Sequence, residues 1–177
     1  MARHWKECVP CQSVKQAPAS APLHPWTWPS RPWQCIHVDF AGQFQGKMLF
    51  LVMDAHSKWG EIFEMSQTTA TKTITILQQL FAAYGLPDQI VSDNGPQFVS
   101  EEFRTFTLEN GIRHIRCAPY HPASNGLIER FVRTMKEALK VSKHDQLDFT
   151  HRLQNFLFTY RTTPHESWIY IHDNLVV

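Results

Sequence analysis

The sequence predicts an α/β domain in which a mixed, five-stranded sheet is flanked by helices. Three observations carry that expectation. Residues 35–65 hold three short apolar or alternating runs, the signature of strands. From Thr69 the apolar period lengthens to that of a helix. Beyond it, strand-like and helix-like stretches alternate to about residue 160.

The compact domain begins near Trp33. Residues 35–41 read as a first strand, 48–53 as a continuously apolar buried strand and 59–65 as an alternating third strand. Their short connections fit antiparallel hairpins. Residues 69–84 place Ile74, Leu77, Leu80 and Phe81 on one helical stripe; Gly85 ends it and Pro87 blocks continuation. Residues 89–92 form a fourth strand that runs into Asp93. Ser100 is an N-cap, with Glu101 and Glu102 in the first turn of a helix reaching Asn110 and Gly111. Residues 112–117 are a fifth strand and 118–125 a loop. A helix over 126–141 buries Ile128, Val132, Met135 and Leu139. Another over 145–159 sends Leu147, Leu153, Phe156, Leu157 and Tyr160 to the core.

Composition narrows the function classes. The chain has 177 residues, 43% of them hydrophobic, enough for one core with short extensions. A net charge of +1 does not announce a nucleic-acid binder, so the placement of charge has to make that case. There is no run of about 18 apolar residues, so no membrane span is expected. Residues 1–10 lack the apolar centre of a signal peptide. The expected location is the nucleus, with the cytoplasm as alternative. In such a compartment Cys8, Cys11, Cys35 and Cys117 are thiols or metal ligands rather than disulfides. Residues 17–32 carry Pro18, Pro22, Pro25, Pro29 and Pro32 and read as an extended linker. Trp26, Trp28 and Trp33 either dock that linker on the domain or serve recognition.

Three carboxylates hold the chemical signal. Asp39 lies within the first strand, Asp93 at the end of the fourth, and Glu129 one turn into a basic helix. Hard divalent cations such as Mg²⁺ prefer oxygen ligands. Two of them flanking a phosphate can activate the attacking oxygen and stabilise the leaving one. Singly, each acid has a plain structural reading. Asp93-Asn94-Gly95-Pro96 is turn chemistry, and Glu129 with Arg133 is an ordinary i,i+4 pair. Arg133, Lys136 and Lys140 follow Glu129 by four, seven and eleven residues, a row on one helical face. Such a row suits a DNA backbone or is a solvated face.

The flanking residues are more specific. Ile36-His37-Val38-Asp39, Asp54-Ala55-His56-Ser57-Lys58-Trp59, Gly85-Leu86-Pro87, Ser92-Asp93-Asn94-Gly95-Pro96-Gln97-Phe98 and Tyr120-His121-Pro122-Ala123-Ser124-Asn125-Gly126-Leu127-Ile128-Glu129-Arg130 occur in this order, with 35 residues between Asp93 and Glu129. Over residues 30–164 this resembles the integrase catalytic core of retroviruses and Ty3/Gypsy-type retrotransposons. The resemblance implies an RNase H-like fold, Asp39, Asp93 and Glu129 as catalytic and metal-binding residues, and Mg²⁺ or Mn²⁺ as cofactor. It implies DNA as substrate, 3′-end processing followed by strand transfer, and a homodimer. It also makes Tyr120 and Asn125 DNA contacts. Asn94 and Gln97 are further candidates beside Asp93, although Asn94 equally suits a turn cap. The alternative is a recruited or truncated integrase-derived module that binds DNA or protein without catalysis.

Four segments are expected. Residues 1–16 resemble half of the family's zinc-binding module. That module pairs two histidines with Cys-x-x-Cys, but only Cys8 and Cys11 match, and two thiolates do not close a four-ligand zinc site. Zinc binding is therefore not expected. Residues 17–32 are the linker and 33–165 the catalytic core. Residues 166–177 are a divergent tail, whose Trp168-Ile169-Tyr170-Ile171 is apolar and β-prone.

Overall fold

The computed structural model describes residues 28–117, 122–144 and 146–163. Cys8, Cys11, Trp26, Tyr120, His121 and residues 166–177 lie outside the described residues.

The strands are β1 (Cys35–Phe44), β2 (Lys47–Asp54), β3 (Gly60–Met65), β4 (Gln89–Ser92) and β5 (Arg113–Arg116). They form one sheet in the order β3-β2-β1-β4-β5. β2 is antiparallel to both β1 and β3, whereas β4 is parallel to both β1 and β5. The sheet is therefore mixed, as the sequence predicts. The β1–β2 turn is Gln45-Gly46, with φ of 51° and 79°, the two positive values a type I′ hairpin requires. β1 extends three residues beyond the expected end because its pairing slips between Phe40 and Gln43. Gly42, with φ of 67°, takes up that bulge.

The helices are α1 (Ala70–Tyr84), α2 (Pro96–Val99), α3 (Glu101–Glu109), α4 (Pro122–Val141) and α5 (Phe149–Thr162), with a 3₁₀ turn at Ser142–His144. Thr69, Ser100 and Asp148 cap α1, α3 and α5 by accepting N–H bonds from Lys72, Phe103 and His151. Both sheet faces are covered. Ile36, Val38, Phe50 and Val52 pack against Leu77, Leu80, Phe98, Phe103 and Phe106 from α1 to α3. Leu49, Leu51, Met53 and Ile62 pack against Ile128, Phe131, Met135 and Leu139 of α4 and Leu153 and Phe156 of α5. Burying each such side chain is worth about 1.5–3 kcal/mol.

Four expectations change. α4 begins at Pro122, so residues 122–125 are helix rather than loop; proline is favoured in a first turn, where its missing N–H has no partner to lose. Phe131, 1% exposed, joins the buried stripe, while Val132 only flanks it. Leu147 is 44% exposed, because α5 starts two residues later at Phe149. The turn after Asp93 contains a short helix, α2, with Pro96 in its first turn.

Candidate active site

Asp39 sits in the centre of the sheet, on β1 between β2 and β4. Its partner across the β1–β2 ladder is Leu51, a residue of the face that α4 covers. The β1–β4 ladder pairs His37 with Val91. Two residues beyond that pair come Asp39, still in β1, and Asp93, the first residue past β4, whose charge acts on Asp39. Adjacent strands lie about 5 Å apart, so the two carboxylates are neighbours. Glu129 comes from above the sheet, exposed on α4 between Ile128, which is fully buried, and Phe131.

Electrostatics shows the other two acids acting on Asp39. Burial pushes the Asp39 carboxyl up to about 6. The Phe40 N–H, 2.7 Å from its Oδ1, opposes that rise. The carboxylates of Asp93 and Glu129 add to it, and Lys136 counters them. The thiol of Cys117, 8% exposed, is raised to about 11 by burial and by Glu129, Asp93 and Asp39. Cys117 is thus a wall of the acidic centre that sequence reasoning missed. Only its place after an edge strand hinted at it.

Each acid is held by local structure. The Asp93 carboxylate accepts the Gly95 N–H at 2.9 Å, which fixes the turn at the end of β4. Asn94 donates through Nδ2 to the Cys117 carbonyl at 2.9 Å, so it ties that turn to the end of β5. The Gln97 side chain lies over Gly95, where any Cβ would collide with it. Arg133 and Lys140 are exposed on α4 and Lys136 is half-buried, so the basic row shares the side of Glu129. Asn125 stands apart from that row. It is 5% exposed, and its Oδ1 lies 3.4 Å from His37 Nδ1 on β1. His37 is itself buried, and that burial lowers its pKa to about 4.

Among the described residues, no three His, Cys, Asp or Glu side chains are close enough to enclose a metal ion. The acids converge without closing a cage. Asp54, by contrast, is fully buried and serves structure. It accepts N–H bonds from Trp33, His56 and Ser57 and the Ser57 hydroxyl proton, at 2.6–3.2 Å. Of the linker tryptophans, Trp28 and Trp33 make contacts on the domain, as one of the two readings has it. Trp33 stacks on Tyr84 with ring centroids 4.0 Å apart, and Trp28 lies under the Lys58 ammonium.

Known proteins match this arrangement. A profile for the integrase core domain matches residues 29–122, and a second profile of that description matches 110–170. The uncharacterized protein K02A2.6 of Caenorhabditis elegans is 40% identical over 167 residues, 94% of this chain and 13% of that protein. The Gag-Pol polyprotein of walleye dermal sarcoma virus is 32% identical over 150 residues, 82% of this chain and 9% of the polyprotein. The chain thus spans 13% or less of these relatives. Among solved structures, the simian T-cell lymphotropic virus intasome in complex with PP2A regulatory subunit B56 gamma aligns with a TM-score of 0.64 and 28% identity, covering 72% of this chain and 48% of that one. The HTLV-2 integrase catalytic core domain in complex with magnesium, in its dimeric form, aligns with a TM-score of 0.61 over 75% of this chain and 89% of that one. At 23% identity the latter speaks to the fold, which is RNase H-like. By the profile match over residues 29–122 and by this architecture, the chain belongs to the integrase core domain family.

Proposed function

We propose that the chain is the catalytic core of a metal-dependent polynucleotidyl transferase acting on DNA, with Asp39, Asp93 and Glu129 as its acids. One observation carries this reading: β1 runs beside β4, which leads into Asp93, and the charges of Asp93 and Glu129 both bear on Asp39. Three carboxylates, two of which repel the charge on Asp39, are hard oxygen donors whose charge suits a divalent cation. These residues would hold Mg²⁺ or Mn²⁺, which supplies activation of the attacking oxygen and neutralisation at the leaving oxygen. The protein contributes position. β1 and β4 fix two acids on a rigid sheet, and α4 brings the third over them. Lys136, whose charge reaches Asp39, stands where a scissile phosphate would bind; Arg133 and Lys140 extend that row along a DNA backbone. The transfer is in line and needs no covalent protein nucleophile. In this reading 3′-end processing precedes attack of the freed 3′-hydroxyl on target DNA. The HTLV-2 core is a dimeric magnesium complex, which supports Mg²⁺ and a homodimer here.

A second reading is a DNA- or protein-binding module without catalysis. It is favoured by the open geometry of the acids, which do not enclose an ion-sized site. Incubation with branched DNA and Mn²⁺ separates the two. Strand cutting or joining that disappears in Asp93→Asn is the outcome expected of the catalytic reading. Absence of cleavage by the unaltered chain with both Mg²⁺ and Mn²⁺, while branched DNA is still bound, leaves the binding module.

A further inference from the structure

Half a helical turn away from Glu129, α4 presents a different surface. Leu127, Arg130, Phe131, Thr134 and Ala138 recur at the spacing of one helical face, whereas Glu129, Arg133, Lys136 and Lys140 occupy the opposite one. Between that first face and α5 lies a groove of 660 Å³. Its floor is apolar, formed by Leu127, Phe131, Ala138 and Phe156. Two cations border it, Lys58 and Arg130, and among the described residues no acidic side chain lines it.

Among the described residues, neither cation forms an ion pair. Arg130 spends its Nε–H on the Gly126 carbonyl at 3.2 Å, and among the described residues it forms no ion pair. Lys58 is 8% exposed. Its ammonium donates to the Ala55 carbonyl at 2.6 Å and lies 3.9 Å from the Trp28 ring centroid, again with no carboxylate in ion-pair contact. An ammonium has three protons, so that bond leaves capacity. Burial depresses the Lys58 pKa to about 8; the Asp54 charge opposes the shift, and the smaller effect of Arg130 adds to it. Two like charges that repel across a mostly apolar wall form an anion site.

We propose that this groove docks a segment of a partner protein presenting a bulky apolar side chain beside a carboxylate. The apolar floor selects the side chain, and the Lys58–Arg130 pair selects the acid. A nucleic-acid backbone would satisfy the two cations but leave the floor of Leu127, Phe131, Ala138 and Phe156 uncovered. The site is independent of the catalytic reading, because none of its residues belongs to the acidic centre.

A charged and a neutral probe of one shape test this. The full ¹⁵N-labelled chain is titrated at pH 7 with indole-3-acetate and, separately, with indole-3-acetamide. The acetate is expected to bind about tenfold more tightly and to shift the amides of Leu127, Arg130, Thr134 and Thr159. Arg130→Gln and Lys58→Met should each remove most of that preference. Ala138→Trp, which fills the groove from its half-buried floor, should abolish binding of both probes. Equal affinity for the two probes overturns the proposal. So does displacement of these amides by duplex DNA but not by the acetate, which would make the groove a nucleic-acid surface. Shifts of the same amides on raising protein concentration alone would assign it to a second copy of the chain, and also overturn it.

Discussion

At the scale of single residues, the decisive contrast is between carboxylates that are satisfied and carboxylates that are not. Asp54, itself fully buried, accepts four hydrogen bonds, so the protein satisfies its carboxylate oxygens. Asp39 receives one N–H bond and faces two other acids. The first pattern builds structure, and the second leaves capacity for a ligand. Asp54→Ala is expected to cost about 3 kcal/mol in urea denaturation, since it orphans several buried donors at once. A loss below about 1 kcal/mol would show that water replaces the carboxylate. Asp39→Asn should move the other way, gaining stability near neutral pH by removing repulsion while abolishing Mn²⁺-dependent DNA cleavage. Asp39 and Asp93 were legible as candidates because the motifs around them are local in sequence. Cys117 and Asp54 were not legible in their roles, because both depend on burial that only the assembled sheet creates.

At the scale of elements, α4 decides whether Glu129 reaches the sheet. Its depth is set by Phe131, which rests directly on the Cα of Gly60 at the start of β3; a Cβ there would overlap the ring. Arg161 of α5 fastens the same point by donating to the Gly60 carbonyl at 2.8 Å. Gly60→Ala is therefore expected to destabilise by about 2 kcal/mol through overpacking. In a Phe131→Leu background the same change should cost clearly less, and a double-mutant cycle measures that coupling. Simple additivity would mean the contact does not set the packing. The strand and helix pattern of residues 35–117 was readable because each element is short, periodic and punctuated by Gly, Pro or a cap. The start of α4 was not, because Ala-Ser-Asn-Gly carries weak helix propensity and the turn is held by tertiary contacts such as Asn125 with His37. Phe131 was missed because α4 buries a stripe wide enough to meet both the sheet and α5, whereas a narrow i, i+4 reading selects Val132.

At the scale of the whole molecule, two groups give opposing pH dependences over one window. His37 titrates near 6.5 when unfolded and near 4 when folded. Its contribution to stability is present above 6.5 and is lost as pH falls toward 4, by about 3 kcal/mol in full. Asp39 is raised from 3.8 to about 6. Its contribution is present below 3.8 and is lost as pH rises through 6, by a similar amount of about 3 kcal/mol. The His114 pKa is also lowered by burial, so it adds to the acid-side loss. With EDTA present, the unaltered chain should lose little stability between pH 6 and 4. Asp39→Asn should expose the steep histidine-driven loss, and His37→Gln should reverse the slope. Parallel curves for all three proteins would show that these shifts do not govern stability. Divalent ions supply a separate check: Mn²⁺ at a hundredfold over its Kd should stabilise by about 3 kcal/mol. The rise in Tm should vanish in Asp93→Asn.

The acidic centre also straddles a structural seam. Asp39 lies in the sheet and Asp93 directly follows β4, while Glu129 belongs to a helical layer that meets the sheet through one large apolar cluster and, at Leu127, a smaller one. The opposite face has its own cluster and does not depend on that layer. The centre can therefore come apart while most of the protein remains folded, by lifting of α4 and α5 as a cooperative unit. Native-state hydrogen exchange should find α4 and α5 opening together at lower free energy than β1 and β2. Loss of DNA cleavage in mild denaturant should track that partial opening rather than global unfolding. Assembly of the site is then itself an equilibrium, and anything that presses α4 onto the sheet acts as an activator without touching a carboxylate.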